Sequence, residues 1–276
     1  MSGRLYVVGT PIGNLEDFSP RAVRILSEVD FIAAEDTRVT LKLLNHFEIK
    51  KPLISYFEHN KQTQGEVIIN RLLGGETAAI VTDAGMPAIS DPGEDLVREC
   101  IEVGIAVESV PGPTAFATAL SISGMPSKRF CFEGFLSVDK KERTAHLEEL
   151  KAERRTMIFY EAPHKLCRTL DDLYNTFGER KIAIARELTK LHEQVLSTTL
   201  SDACCYFKEN APRGEFVLIV EGKTENESIN YTLEDAVAMA QVLRDNGLSA
   251  SAAAKEAAQV TGIKKGDIYN GYIKSK

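Results

Sequence analysis

Five cysteines are scattered through the 276 residues, and no two stand in a C-x-x-C spacing, which removes the usual redox and zinc signatures. Cys204 and Cys205 are adjacent, an arrangement that suits neither a mutual bridge nor two ligands of one tetrahedral metal. With Cys100, Cys131 and Cys167 they read as small buried thiols, and no metal site is expected. No unbroken apolar run reaches the length of a membrane-crossing helix. Residues 1–4 lead directly into Leu5-Tyr6-Val7-Val8, without the basic start, apolar middle and cleavage site of a secretory signal. A cytoplasmic chain with no membrane partner is therefore expected. Basic residues are in deficit as well: 33 Lys and Arg face 40 Asp and Glu, a net charge of −7. This disfavours a uniformly basic nucleic-acid binder but leaves room for one local basic face.

Familiar catalytic motifs are missing too. Gly9 and Gly13 have the spacing G-x-x-x-G, not the G-x-G-x-x-G of a dinucleotide turn. Gly222-Lys223-Thr224 ends like a phosphate-binding P-loop, but Val217 stands where the first glycine is required. His192-Glu193 has no second histidine three residues on, so there is no zinc-protease helix. No G-x-S-x-G nucleophile elbow occurs.

What remains is a globular composition, 43% hydrophobic and 26% charged, long enough for two modest domains. Short apolar runs at 5–8, 31–34, 78–81 and 106–110 suit buried strands. Helical patterns separate them: one starting at Ser19-Pro20, then 37–47, 66–73 and 94–103, with Gly74 and Gly104 as stops. This alternation predicts an α/β domain with a mainly parallel sheet. A second α/β set starts near Phe130, with strands at 130–135, 157–160, 182–185, 194–198 and 216–220. Its helices are predicted at 141–153, 164–177 and 201–209. Residues 223–230 are polar and acidic, as in a linker. Beyond them, Thr232 with Asp235 three residues on starts a helix stopped by Gly247, and an Ala-rich helix at 249–260 precedes a short third one. The predicted organisation is an N-terminal α/β domain (1–122), a second α/β domain (123–226) and a helical module (227–276). That module is either helix-turn-helix-like or a cap on the second domain.

Open α/β sheets bind ligands beyond the carboxyl ends of their strands, so the turns placed there carry the functional signal. Gly9-Thr10-Pro11-Ile12-Gly13-Asn14-Leu15 follows the first strand and reads equally as a tight turn or a binding loop. Asp83-Ala84-Gly85-Met86-Pro87-Ala88-Ile89-Ser90-Asp91-Pro92-Gly93 is long and irregular, which favours a functional loop over a turn in which Asp91 caps the next helix. Val110-Pro111-Gly112-Pro113-Thr114-Ala115 can open a helix with free N–H groups. Arg213-Gly214-Glu215-Phe216 alone is a plain strand entry. Charged clusters stand at further strand exits: Glu35-Asp36-Thr37-Arg38, Tyr160-Glu161-Ala162-Pro163-His164-Lys165 and Arg186-Glu187-Leu188-Thr189-Lys190. Each alone could be a surface ion-pair group; several at the exits of both domains point to a cleft between them.

Taken together and in order, these segments resemble the tetrapyrrole-methylase superfamily, and within it the bacterial 2′-O-methyltransferases that modify a cytidine of 16S ribosomal RNA. Glu-Asp-Thr-Arg and Asp-Ala-Gly-Met-Pro are the most specific parts, the latter departing at Met86 from the superfamily's more usual Gly-Asp-Pro. The resemblance spans essentially the whole chain. It implies two α/β domains of tetrapyrrole-methylase type with S-adenosylmethionine in the cleft between them, a small C-terminal helical module that binds RNA, and a homodimer. Carried over, Asp83, Ala84, Gly85, Met86 and Ile89 hold the methionine and sulfonium end, with Pro11, Pro113, Thr114 and Ala115 nearby. Tyr160, Glu161, Gly214 and Glu215 flank the adenosine. Arg38 and Lys165 grip phosphate, and Lys255, Lys264 and Lys265 belong to the RNA-binding tail. The partner is then 16S ribosomal RNA or the small ribosomal subunit.

A ribose hydroxyl is a poor nucleophile, so a general base helps. Position in the cleft nominates Glu35 or Asp36, then Glu161. Two other activities remain open: methylation of a small, tetrapyrrole-like molecule, and a non-catalytic role in ribosome assembly.

Overall fold

A computed structural model describes residues 3–224 and 232–274. The linker predicted at 223–230, and the 226/227 boundary within it, fall from residue 225 on outside the described residues. The chain forms two compact units, Met1–Lys223 and Thr224–Lys276.

In the first unit, β1 (Arg4–Val8), β2 (Phe31–Ala34), β3 (Leu53–Ser55), β4 (Thr77–Val81) and β5 (Ala106–Val110) form one sheet. Their order is β3-β2-β4-β1-β5 and every pair is parallel. β2 is buried at every position, as an apolar strand with helices on both faces must be. α1 (Pro20–Glu28) and α2 (Thr37–His46) cover one face through Ile25, Leu26 and Leu44. α3 (Lys61–Leu73) and α4 (Glu94–Glu102) cover the other through Ile68, Leu72, Leu96 and Cys100. Two features were not legible in the pattern. β3 has three half-buried residues, too few to show a period. α3 starts before residue 66, because Asn60 closes the preceding turn by bonding Ser55 O and the Phe57 N–H, and Gly65 inside the helix disguises its first turns.

The second sheet is built from β6 (Phe130–Phe135), β7 (Thr156–Glu161), β8 (Lys181–Arg186), β9 (Gln194–Thr199) and β10 (Phe216–Val220) in the order β6-β7-β10-β8-β9. α6 (Lys140–Leu150), α7 (Leu166–Phe177) and α8 (Leu200–Glu209) pack on one face. α5 (Ala115–Ile122) covers the other, setting Ala119 and Leu120 against Ile158, Ala183, Val217 and Ile219. The chain therefore crosses between the sheets at residues 111–114, ahead of α5, whereas the reading from sequence kept α5 with the first sheet. Its run Ala-Phe-Ala-Thr-Ala-Leu has no polar stripe to mark which sheet it serves. This sheet is mixed. β6 and β7 are parallel, while β10 opposes both β7 and β8. The entry of β10 therefore lies at the same edge as the exits of β6, β7 and β8.

The cysteines depart from expectation at one position. Cys100 and Cys204 are buried and Cys131 and Cys167 half-buried, but Cys205 is exposed, because consecutive residues of a helix point about 100° apart.

In the second unit, α9 (Leu233–Asp245), α10 (Ala250–Thr261) and α11 (Lys265–Lys274) pack on one another. Thr232 and Asp235 form a reciprocal capping box at the start of α9. The shared core is small: Ala236, Ala240, Ala253, Ala254 and Ala257 with Ile268. Lys255, Lys264 and Lys265 are exposed.

Candidate active site

The turns after β1 and β4 are stitched together by backbone. Thr10 N–H donates to Gly85 O at 2.9 Å and Gly85 N–H donates to Thr10 O at 3.2 Å. The buried Thr10 hydroxyl donates to Thr82 O at 3.1 Å. Beside this clip, Gly9 touches the turn after β5. A Cβ on Gly9 would stand 2.6 Å from Met86 Sδ and 2.7 Å from Gly112 Cα. Glycine is needed there because two backbones meet, which no rotamer change relieves.

A cavity of about 360 Å³ opens between the carboxyl edge of the first sheet and the facing edge of the second, within the range of small-molecule sites. Its apolar wall includes Ile12, Met86, Ala115, Leu188, Phe216 and Val217. Glu35, Asp83, Asp91 and Glu215 also line it, and among the described residues none of these four forms an ion pair. Burial raises the Glu35 carboxyl above its ordinary range, helped by the charges of Asp83 and Asp36. Asp83 is raised by burial and by Asp36, against a hydrogen bond from the Asp36 N–H that favours its charge. Asp91 is pushed up to about 7, chiefly by burial and then by Glu35, Asp83 and Glu215.

Ten residues assigned to the cofactor from sequence line this cavity: Asp83, Ala84, Gly85, Met86, Ile89, Thr114, Ala115, Tyr160, Glu161 and Glu215. Pro11, Pro113 and Gly214 are not among the lining residues but belong to the turns that carry them. Of the three candidate bases, Glu35 and Glu161 line the cavity and Asp36 does not. Asp36 is the N-cap of α2: its carboxylate accepts from Arg38 N–H at 2.8 Å and pairs with the Arg38 guanidinium at 2.6 Å. Those bonds hold it down to about 2, and its carboxylate serves the α2 cap, outside the cavity lining.

Glu161 is buried and fully engaged. It accepts from Ala162 N–H at 2.8 Å and from the Thr169 hydroxyl, which in turn accepts from buried Arg143 at 2.8 Å. This is the posture of a fixed wall rather than of a proton acceptor. Arg38 is exposed at the cavity's Glu35–Asp83 corner, and Lys165 sits half-buried ahead of α7. Lys255, Lys264 and Lys265 belong to the second unit.

Nine lining residues carry no assigned role from the sequence, and two of them matter most here: Asp91, readable there either as a hydrogen-bond acceptor for the ligand or as a helix cap, and Phe135. Asp91 was weighed against a capping role, but α4 is capped by Gly93 without any side-chain bond, which leaves the Asp91 carboxyl free to face the cavity. Phe135 gives no signal in the sequence, because its direction depends on an irregularity in β6.

The lining fits S-adenosylmethionine by its chemistry. Unpaired carboxylates suit an ammonium and a sulfonium, Lys190 suits the amino-acid carboxylate, and the buried apolar wall suits an adenine. Residues 4–204 match the family described as tetrapyrrole (corrin/porphyrin) methylases. The protein named ribosomal RNA small subunit methyltransferase I of Halalkalibacterium halodurans is 50% identical over 273 residues, 98% of this chain and 94% of that one. Its namesake from Synechocystis is 47% identical over 268 residues, 97% of this chain and 96% of that one. Among solved structures, the uroporphyrin-III C-methyltransferase of Thermus thermophilus complexed with S-adenyl homocysteine is similar at a TM-score of 0.56 and 16% identity, over 79% of this chain and 97% of that one.

Proposed function

Because the chain belongs to the tetrapyrrole (corrin/porphyrin) methylase family, and within it to the ribosomal RNA small subunit methyltransferase I family, we propose that it methylates the 2′-hydroxyl of a cytidine in 16S ribosomal RNA, using S-adenosylmethionine. The observation that carries this is the convergence of Asp83, Gly85, Met86, Ile89, Thr114, Tyr160, Glu161 and Glu215 on one acidic, partly apolar cavity. The same reading makes the enzyme a cytoplasmic homodimer; no helix among the described residues is long and apolar enough to cross a membrane.

When bound, S-adenosylmethionine supplies an electrophilic methyl group on a positively charged sulfur. Asp83 and Glu35, with Glu215 on the same lining, favour binding of that positive charge. Met86, Ile89 and Leu188 exclude water from the reacting centre. Glu161, locked by Thr169 and Ala162, fixes the wall beside Tyr160. The ribose proton passes to Asp91, whose carboxyl has no hydrogen bond among the described residues and, pushed up to about 7, lies near neutrality, where a general base works best. Glu35 is second in line, since the Asp83 N–H reaches it only at 3.5 Å. Arg38 and Lys165, both outside the cavity, are placed to hold phosphates of the bound strand.

Transfer of labelled methyl from S-adenosylmethionine to small subunits lacking their native modifications, followed by nucleoside analysis, tests this. 2′-O-methylcytidine is the expected product. Cofactor binding without transfer would favour a small-molecule substrate, and absence of binding a non-catalytic role in assembly. In the same assay Asp36→Ser, which keeps an oxygen for the α2 cap, should change turnover by less than about two-fold, whereas loss of a general base costs ~10²-fold or more. A loss of that larger size would return Asp36 to the chemistry.

A further inference from the structure

β6 contains a bulge. Its pairing with β7 runs Phe130↔Thr156, Cys131↔Met157 and Phe132↔Ile158, then skips Glu133 and resumes at Gly134↔Phe159 and Phe135↔Tyr160. Gly134 holds φ +62°, a left-handed value that a side chain would oppose. A Cβ at Gly134 would also stand only 3.0 Å from Ser90 Oγ of the cavity loop. In an unbroken strand, Phe132 and Phe135 would point to opposite faces, because the side-chain period is two. The extra residue reverses that parity. Both rings contact Tyr160, with centroids 5.0 Å away for Phe132 and 5.5 Å for Phe135. Bulges beside active sites commonly re-aim a side chain in this way.

The result is a graded aromatic stack. Phe116 lies flat on Phe132 at 4.7 Å, and the Phe116 N–H donates to the Tyr160 hydroxyl at 3.1 Å. Tyr160 is thereby pinned at its ring and at its oxygen. Phe135 closes the series at the wet end. It lines the cavity, yet it is 55% exposed. Among the described residues it is the one large apolar lining side chain left so open. The inner apolar wall is different, with Leu188 7%, Phe216 1% and Val217 5% exposed. An adenine therefore has buried surface available to it away from Phe135.

Charge decides what Phe135 can meet. Glu35, Asp83, Asp91, Glu161, Glu187 and Glu215 line the cavity against Lys190 alone. A polyanionic strand cannot enter such a site with its phosphates. Only the uncharged ribose and base of one nucleotide can, and that nucleotide must leave its stack to do so. A rigid aromatic face at the entrance replaces the stacking that is lost. Resting on the RNA-methylating activity proposed above, we propose that Phe135 is the platform on which the base of the target nucleotide stacks while its ribose reaches into the cavity.

The test compares the unaltered chain with Phe135→Ala and Phe135→Trp, measuring methyl transfer to unmodified small subunits and S-adenosylhomocysteine binding by calorimetry. Phe135→Ala is expected to lower kcat/KM for the subunit about 10- to 100-fold, to leave S-adenosylhomocysteine affinity within about two-fold because Phe135 stands clear of the buried wall, and to keep its thermal midpoint because the ring is exposed. Phe135→Trp should restore most of the loss. Full-rate transfer by Phe135→Ala would remove the platform and leave the activity standing. A parallel loss of S-adenosylhomocysteine affinity would also overturn it, making Phe135 part of the cofactor wall. If the unaltered chain transfers nothing, the activity itself fails and the platform with it.

Discussion

Asp91→Asn is expected to lower methyl transfer by ~10²- to 10⁴-fold, the usual span for loss of a general base, while S-adenosylhomocysteine still binds. The amide has nearly the shape of the carboxyl but cannot act as a general base. The pH dependence provides a second readout. With Asp91 near 7 in the free chain, kcat/KM for the subunit should rise as pH increases through neutrality and then level off, since only the ionised form can act. The Asn variant should lose that rise.

Stability moves the other way. The folded-state carboxyl is raised above its unfolded value of about 3.8, so its contribution is fully present below that value. It is lost as pH rises toward 7, because the unfolded chain releases the proton first. Asp91→Asn should therefore unfold at higher temperature than the unaltered chain at pH 8, with little difference at pH 4. A variant that is both slow and more stable at pH 8 is the signature of a group kept for chemistry at the expense of stability. Turnover unchanged by Asp91→Asn would exclude Asp91 as the base and pass the role to Glu35, with Glu35→Gln as the next variant.

Gly9→Ala should remove cofactor binding and destabilise the fold together. The added methyl would meet Met86 Sδ and the backbone of Gly112 at separations real Cβ atoms do not show. Gly9 N–H also donates to Val110 O at 3.1 Å, so the chain cannot step aside without breaking the junction of β1 and β5. Met86 lines the cavity, so displacing it alters the cavity wall. Overpacking of this kind costs about 1–3 kcal/mol, enough to lower the thermal midpoint by several degrees, and S-adenosylhomocysteine affinity should fall at least ~10-fold as the cavity is filled. Thermal melts and calorimetry on the same preparation check both effects. An unchanged midpoint with unchanged affinity would show that the two turns are not locked together as described.

The fourth turn, at Arg213-Gly214-Glu215, shows how local reading meets its limit. By itself it is a strand entry, and pattern alone gave it no role. It reaches the cavity because β10 runs against β7 and β8, and strand direction is set by which apolar faces and free edges the folded sheet presents. Glu161 is the reverse case. It stands at a strand exit in the sequence and in the cavity in space, but its carboxylate is consumed by Thr169 and Ala162. The bond from Thr169, on the helix that follows, shows only in the folded chain.

What the sequence determined by itself is what depends on near neighbours in the chain. Apolar runs of strand length, helix starts at Ser19-Pro20 and Thr232 with Asp235, and glycine- or proline-rich turns at strand exits follow from steric limits and local hydrogen bonding, and they placed the cavity's loops in the right segments. Tertiary structure alone decided which carboxylate is free. Asp36 was spent on capping α2, Glu161 on Thr169, and Asp91 was left half-buried beside three like charges with no hydrogen bond among the described residues. It also decided where Phe135 points, because a single extra residue in β6 reverses the parity of everything after it. Proton affinity and side-chain direction are set by what surrounds a group in space, and for Asp91 those surroundings include Glu35 and Glu215, far away in the chain.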